Sequence, residues 1–241
     1  MLIGAEARDI LHTTLGHSFM NKATQDVDLA FLVPDWPTYT ALVEGLNPIP
    51  DTGIAFRVAG IHVDVFAFGA IESPQGTVTP PFRPADPLDV FGMTQVYVSA
   101  HSASFGGGLD IRVPTVAGYV ALKLKAWIDR SAVHNQKDTP DLALALFWAA
   151  ESPSFTDRFW GNAELFGAWD ADVGLGGAAL LGEDMRRVLG AEAGDHLAEL
   201  FTKASHDQLA RAIDSSSREL GLGDRDRRIT ALAAMTTGLR G

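Results

Sequence analysis

The chain of 241 residues contains no cysteine, so disulfide bonds and thiolate metal ligands are excluded. It also lacks any apolar run of the roughly 18 residues that a membrane-spanning helix needs. At the N-terminus no basic segment precedes an apolar stretch, so a secretory signal peptide is not expected. These absences predict a cytoplasmic protein with no membrane partner, because a cysteine-free chain suits a reducing compartment.

Basic residues are also scarce, since 19 of them face 30 acidic residues and the net charge is −11. A protein of this charge does not attract nucleic acid through its overall field, so an RNA partner would need a local basic patch. Two common catalytic motifs are missing as well. There is no His-Glu-x-x-His segment and no Gly-x-Ser-x-Gly segment, which leaves zinc hydrolase and serine hydrolase chemistry without support.

Strand-like and helical segments alternate in the first half of the chain, and helical spacing dominates after Pro114. The predicted strands cover residues 27–33, 54–58, 61–68, 96–100 and 109–113. The predicted helices cover residues 5–15, 36–46, 115–130, 138–150, 183–203, 206–220 and 224–239. This order predicts an α+β fold, with a small mixed β-sheet domain and flanking helices over residues 1–113, followed by a helical domain over residues 114–241.

Two carboxylates mark the start of the first long strand. Asp26 and Asp28 are separated by one residue at the start of the apolar run of residues 27–33. Because side chains in a strand alternate between its two faces, both carboxylates are expected on the same face. Like charges placed together on a sheet repel each other, and a divalent cation is the usual compensation. The spacing therefore indicates a metal site for phosphoryl or nucleotidyl transfer.

A third carboxylate lies in the apolar segment of residues 61–68. Asp64 would share one face of that strand with His62, and a lone aspartate among apolar residues costs several kcal/mol unless a partner satisfies it. If this strand pairs beside residues 27–33, Asp64 completes a three-carboxylate cluster able to hold two Mg²⁺ ions. The alternative for each aspartate is a structural role, as a turn cap or as the partner of a lysine.

Lys123 lies on an apolar stripe of the long helix predicted over residues 115–130. Such a lysine either extends to water or contacts an anion. The triphosphate of a bound nucleoside triphosphate is one candidate for that anion. The next helix begins near Asp138, which suits an N-cap, and Asp141 would then stand where an acid favours the helix dipole. Gly4 precedes a further predicted helix, where a glycine lets backbone N–H groups approach a phosphate.

Taken together, these segments resemble the nucleotidyltransferase superfamily that shares the DNA polymerase β fold, and more closely its AbiEii/AbiGii toxin group. The matching segments are Leu2-Ile3-Gly4-Ala5-Glu6-Ala7-Arg8-Asp9, Lys22-Ala23-Thr24-Gln25-Asp26-Val27-Asp28, Val63-Asp64-Val65, residues 121–130, and Lys137-Asp138 through Asp141-Leu142. They fall within the first 150 residues. The chain departs from the family pattern at Ala5, where a second glycine is usual, and at Lys22, where arginine is common.

The resemblance implies a function for each matching residue. It assigns catalytic roles to Asp26, Asp28, Asp64, Lys123 and Asp141. It assigns metal binding to Asp26, Asp28 and Asp64. It assigns nucleotide contacts to Gly4, Ala5, Arg8, Lys22, Thr24 and Lys123. The implied reaction moves an NMP from an NTP such as ATP to an acceptor hydroxyl with two Mg²⁺ ions, and the implied partners are a tRNA or other RNA acceptor and a cognate antitoxin protein.

Two other functions remain open at this point. The chain is alternatively a nucleotide-binding or interaction module that kept this fold and lost turnover. A third hypothesis is a phosphotransferase that uses the same fold to move the γ-phosphate.

Overall fold

The computed structural model describes residues 1–19, 24, 26–50, 52–81 and 87–241. The chain divides into two compact units. The first comprises Met1–Leu11 and Ser18–Thr115, and the second comprises His12–His17 and Val116–Gly241. The fold is α+β, as predicted, with a small mixed sheet in the first unit and helices throughout most of the second.

Nine short strands are found in the described part of the chain. They are β1 (Leu2–Ile3), β2 (Asp26–Val33), β3 (Asn47–Pro48), β4 (Ala55–Val58), β5 (Ile61–Gly69), β6 (Thr77–Val78), β7 (Leu88–Asp89), β8 (His101–Ser104) and β9 (Asp110–Val113). Five of them form one sheet in the order β1-β2-β5-β4-β3. Within it β2 and β5 are parallel and the other pairs are antiparallel. The remaining strands form the two antiparallel pairs β6–β7 and β8–β9.

Helices account for most of the remaining described residues. They are α1 (Gly4–Thr14), α2 (Trp36–Val43), α3 (Met93–Ser99), α4 (Val116–Ser131), α5 (Thr139–Glu151), α6 (Pro153–Trp160), α7 (Ala163–Ala168), α8 (Val173–Leu189), α9 (Ala191–Lys203), α10 (His206–Ser216), a 3-10 turn (Arg218–Leu220) and α11 (Arg225–Arg240). In the described residues no helix is long and apolar enough to cross a bilayer.

The alternation of side chains along β2 separates a core face from a polar face. Val27, Leu29, Phe31 and Val33 pack into an apolar cluster with the helix α2. Val63, Val65 and Ala67 of β5 join the same cluster, because the parallel register pairs β2 and β5 residue by residue from Asp26 and His62 onward. Asp26 and Asp28 therefore lie on the opposite face of the sheet.

Small residues allow the main helix pair of the second unit to pack closely. A Cβ atom on Gly182 of α8 would lie 2.1 Å from the carbonyl oxygen of Met235, and one on Gly238 of α11 would lie 1.9 Å from that of Ala179. Because no side chain fits between them, the backbones of α8 and α11 come into direct contact. The helices α4 and α5 are rich in apolar residues because many of their side chains are buried, and Trp127 of α4 is fully buried.

Two predicted elements are wrong. Residues 96–100 do not form a strand but belong to the end of α3 and the residue after it. Val96 is fully buried whereas Val98 is 74% exposed, and a strand would have placed both on one face. The single helix predicted over residues 183–203 is two helices, because Gly190 adopts a φ of +79° that no α-helix accommodates.

Candidate functional site

Asp28 and Asp64 are direct neighbours in the sheet of the first unit. The parallel register of β2 and β5 pairs Asp28 with Asp64 and Asp26 with His62. Paired residues on neighbouring strands share a face, and the strands lie about 4.8 Å apart. The pairing on which the three-carboxylate hypothesis depended is confirmed. The three aspartates lie on the face opposite the apolar core, and each is partly buried.

Polar contacts orient the carboxylates of Asp64 and Asp26. The Asp64 Oδ1 atom lies 3.0 Å from Nε2 of His62, so the histidine orients this carboxylate from the same face of β5. The hydroxyl of Thr24 donates to Oδ1 of Asp26, and the backbone N–H of Asp26 lies 3.5 Å from the same hydroxyl oxygen. Thr24 is exposed and lies two residues before the first residue of β2, so it acts as a local partner of Asp26 at the start of the strand.

Gly4 brings the start of α1 against Asp28. Its φ is +68°, a conformation that favours glycine, and a Cβ atom there would lie 1.9 Å from Oδ2 of Asp28. The N-terminus of this 11-residue helix, with Ala5 as its second residue, thus stands beside the carboxylates. Unpaired backbone N–H groups and the helix dipole at such an end suit an anionic group such as phosphate.

Glu6 is a further carboxylate at this place that sequence reasoning did not identify. Burial raises the pKa of Glu6, a hydrogen bond from its own backbone N–H lowers it, and the charges of Asp28 and Asp26 raise it further. Acidic residues are common in the first turn of a helix, so the sequence offers no signal that sets Glu6 apart.

The donor chemistry of these residues suits Mg²⁺, although no group of three His, Asp or Glu side chains in the described residues is arranged to hold one ion. Magnesium in phosphoryl-transfer sites is commonly held by one or two carboxylates, with substrate phosphates and water completing the shell. Asp28 and Asp64, as hard oxygen donors on adjacent strands, fit that mode of binding.

The second group of predicted residues lies in the helical unit. Lys123 of α4 places its Nζ atom 2.7 Å from Oδ2 of Asp141 and 3.6 Å from Oδ1 of Asp138. The Lys123 side chain is 22% exposed and those of Asp141 and Asp138 are 10% and 3% exposed. Of the two alternatives, extension to water or contact with an anion, the structure shows the second. The anion is a carboxylate of the same chain, that of Asp141.

Asp138 occupies the N-cap position of α5 but does not cap it. Its carboxylate makes no hydrogen bond to the first turn of the helix and instead accepts one from Nη1 of Arg130. A neighbouring chain of bonds runs from the indole of Trp127 to Gln136 and from Thr139 to the same amide oxygen. These contacts hold the α4–α5 connection, and with it the Lys123–Asp141 pair, in a defined geometry.

The remaining predicted nucleotide contacts are Arg8 and Lys22. Arg8 is buried, and its Nε atom donates to Oδ1 of Asp9 at 2.9 Å. Lys22 lies outside the described residues, so its prediction has no structural counterpart.

Comparison with known proteins found no matching family model, no matching curated protein and no matching solved structure.

Proposed function

We propose that this chain is a Mg²⁺-dependent nucleotidyltransferase that moves an NMP from an NTP to an acceptor hydroxyl and releases pyrophosphate. One observation carries the proposal: Asp28 lies beside Asp64 on adjacent parallel strands, with the N-terminus of α1 against Asp28. A carboxylate pair next to a helix N-terminus combines a cation-binding group with a phosphate-binding group.

Each residue has a defined task in this proposal. Asp28 and Asp64 would hold the cation, with Asp26 as the second ligand on β2. When bound, Mg²⁺ neutralises charge on the phosphate oxygens and favours ionisation of the acceptor hydroxyl. Gly4 leaves room for the backbone of α1 to approach a phosphate oxygen. The 3.0 Å hydrogen bond between Nε2 of His62 and Oδ1 of Asp64 holds the Asp64 carboxylate in one orientation.

The chemistry is a substitution at phosphorus. The acceptor hydroxyl loses its proton to solvent water, its oxygen bonds to the α-phosphorus, and the bond from that phosphorus to the oxygen of the leaving pyrophosphate breaks. The contribution of the chain is mostly positioning and charge compensation, as in other phosphoryl transfers. A role of Lys123 in neutralising the triphosphate, an RNA acceptor, a cognate antitoxin and a cytoplasmic location stay predictions that follow from the resemblance and the composition.

The test is a transfer assay with each α-³²P-labelled NTP, Mg²⁺, and either total RNA or free aminoglycosides as acceptors. We expect label on one acceptor class and release of pyrophosphate. Asp28→Asn should lower the rate by about 100-fold or more, because it removes a charge that the cation needs. Asp110→Asn, which removes an exposed carboxylate of the same unit, is the matched control and should leave the rate within about twofold.

A second candidate function is a nucleotide-binding module without turnover. It is favoured by the lack, among the described residues, of a three-ligand group ready for a metal. Calorimetric binding of NTP and Mg²⁺ with no label transfer to any acceptor would support this alternative and contradict the transferase. Release of ADP in place of pyrophosphate would instead identify a phosphotransferase.

A further inference from the structure

Two aromatic side chains lie exposed at the junction of α6 and α7. Trp160, the last residue of α6, is 58% exposed, and Phe166 of α7 is 39% exposed. Their ring centroids are 5.6 Å apart, so the two rings form one surface, which we call the Trp160–Phe166 patch. Single exposed apolar residues are ordinary, whereas large aromatic rings exposed side by side are typical of a surface that binds a partner.

A buried ring holds the patch in place. Phe159 is fully buried, and its ring centroid lies 5.2 Å from that of Trp160 and 6.0 Å from that of Phe166. Gly176 of α8 leaves room for this ring, since a Cβ atom there would lie 2.1 Å from Cε2 of Phe159. Rings that are already fixed lose little conformational freedom when a partner covers them, so the patch is suited to anchor one.

Exposed carboxylates border the patch. Asp157 precedes Trp160 by three residues in α6, so the two side chains are neighbours on one face of that helix. Glu164 lies in the first turn of α7, and the whole of this helix spans about 9 Å, less than the Debye length at 0.1 M salt. Both carboxylates are exposed, and within the described part of the chain neither forms an ion pair with a basic side chain.

The sign of these charges determines which kind of partner fits. Arg158, a basic residue of α6, is already paired with Asp184 of α8 at 2.6 Å and does not offset the acidic border. A second copy of the chain, with its net charge of −11, would bring its own carboxylates against this border, and a phosphate-rich surface would be repelled in the same way. A polypeptide with Lys or Arg beside apolar side chains can pair with the carboxylates and cover the rings together.

We propose that the Trp160–Phe166 patch is a docking surface for a basic polypeptide segment with apolar side chains, contributed by another protein. The two rings supply the apolar centre of the interface, and Asp157 and Glu164 supply its charged border. The patch belongs to the second unit, and the inference goes beyond the proposed transfer reaction and does not depend on it. Loss of the rings should speed dissociation, whereas loss of the border charges should slow association and reduce its salt dependence.

The test measures binding of a fluorescein-labelled amphipathic helical peptide of leucine and lysine to the intact chain, by fluorescence anisotropy in about 50 mM NaCl. Trp160→Ala combined with Phe166→Ala should weaken binding by about 10-fold or more, because aromatic anchors carry much of the binding energy of an interface. Phe105→Ala removes a ring that is 52% exposed in the first unit and should leave the affinity within about twofold.

Asp157→Asn combined with Glu164→Gln tests the border without altering the rings. This variant should weaken binding by about 3- to 10-fold in low salt, and the difference should vanish near about 0.5 M NaCl, because salt screens exposed charges. Glu192→Gln combined with Asp226→Asn is the matched control, since it removes two exposed carboxylates from the first turns of α9 and α11 in the same unit. It should leave the affinity within about twofold.

Several results would overturn the inference. One is the lack of leucine–lysine peptide binding by the unaltered chain at concentrations up to about 100 μM. Another is equal affinity of the unaltered chain and the Trp160→Ala, Phe166→Ala variant, or equal binding of a matching peptide of leucine and glutamate. Sedimentation velocity provides a further result: a dimer of the unaltered chain that this double variant abolishes would assign the patch to self-association and not to a basic partner.

Discussion

The carboxylate of Asp28 occupies the space in which a side chain on Gly4 would lie. A Cβ atom on Gly4 would stand 1.9 Å from Oδ2 and 2.7 Å from Cγ of Asp28, so the two residues exclude any larger side chain between them. The positive φ of Gly4 turns the chain from β1 into α1 at that contact. The glycine thereby determines both the start of the helix and the place of the carboxylate.

Gly4→Ala should displace Asp28 and abolish nucleotide transfer. The new methyl group also strains a backbone with φ of +68°, which costs about 1–2 kcal/mol. Gly45→Ala separates the two effects, because Gly45 has a φ of +80° with nothing within 4 Å of the added Cβ atom. In urea denaturation Gly45→Ala should show the strain cost alone and Gly4→Ala a larger loss, because its methyl group also clashes with Asp28, and only Gly4→Ala should lose transfer. Equal activity of the two would contradict a functional role for the contact.

Lys123→Met should destabilise the helical unit, because it leaves Asp141 buried without its 2.7 Å partner. We expect a loss of about 1–3 kcal/mol in the free energy of unfolding, measured by urea denaturation. The double variant Lys123→Met with Asp141→Asn removes both charges and should recover much of this stability. If Lys123 also serves the reaction, the double variant stays inactive. Full transfer activity in the double variant would show that Lys123 has a structural role and none in the reaction.

Tyr39 should make the stability of the first unit depend on alkaline pH. Burial raises the pKa of Tyr39 from 10.0 to about 12, and its hydroxyl donates to the carbonyl oxygen of Val65 at 2.9 Å. Between those two values the unfolded chain ionises its tyrosine and the folded chain does not. The free energy of unfolding therefore falls as pH rises from about 10 to 12, and the contribution is fully present below pH 10.

Tyr39→Phe tests this dependence. The variant should lose about 1 kcal/mol at pH 8, where a hydrogen bond is missing, and should lose less than the unaltered protein on further alkalinisation. The stability of the unaltered protein relative to the variant should fall by about 1–3 kcal/mol between pH 9.5 and 11.5, which closes the initial gap and can reverse its sign. Urea denaturation midpoints at four pH values measure the stability difference between the two proteins. A difference that stays constant across that range would contradict the prediction, because Tyr39 would then ionise equally in the folded and the unfolded chain.

Asp172 should contribute to stability in acid through its pairing with Arg227. The hydrogen bond from Arg227 is the largest cause that lowers the pKa of Asp172 below its usual 3.8. The stabilisation is therefore present above about pH 4 and lost as pH falls through the lower, folded value. Asp172→Asn keeps a residue suited to the N-cap of α8 and removes the charge.

The expected loss for Asp172→Asn is below about 1 kcal/mol at pH 7, because both side chains are partly exposed and water screens them. The difference from the unaltered protein should shrink below pH 4 and in 1 M NaCl. Thermal unfolding at two pH values and two salt concentrations measures this. A difference that does not respond to salt or pH would assign the effect to the N-cap and not to the ion pair.

Local patterns in the sequence were sufficient for several parts of the fold and of the candidate site. The alternation in residues 26–33 predicts a strand with Asp26 and Asp28 on one face, and the structure has β2 with that separation of faces. The apolar character of residues 115–130 predicts a buried helix, and α4 is one. Such predictions succeed because the periods of strand and helix depend on neighbours within one segment.

Tertiary structure decided which segments meet and what each side chain faces. The register that places Asp64 beside Asp28 and the aspartates around Lys123 join residues far apart in the chain. Residues 96–100 form no strand, because the burial of Val96 outweighs a local preference for β structure. Local periodicity is sufficient to predict the segments and their polar faces, whereas the partners of those faces follow from packing between distant segments, which no local period encodes.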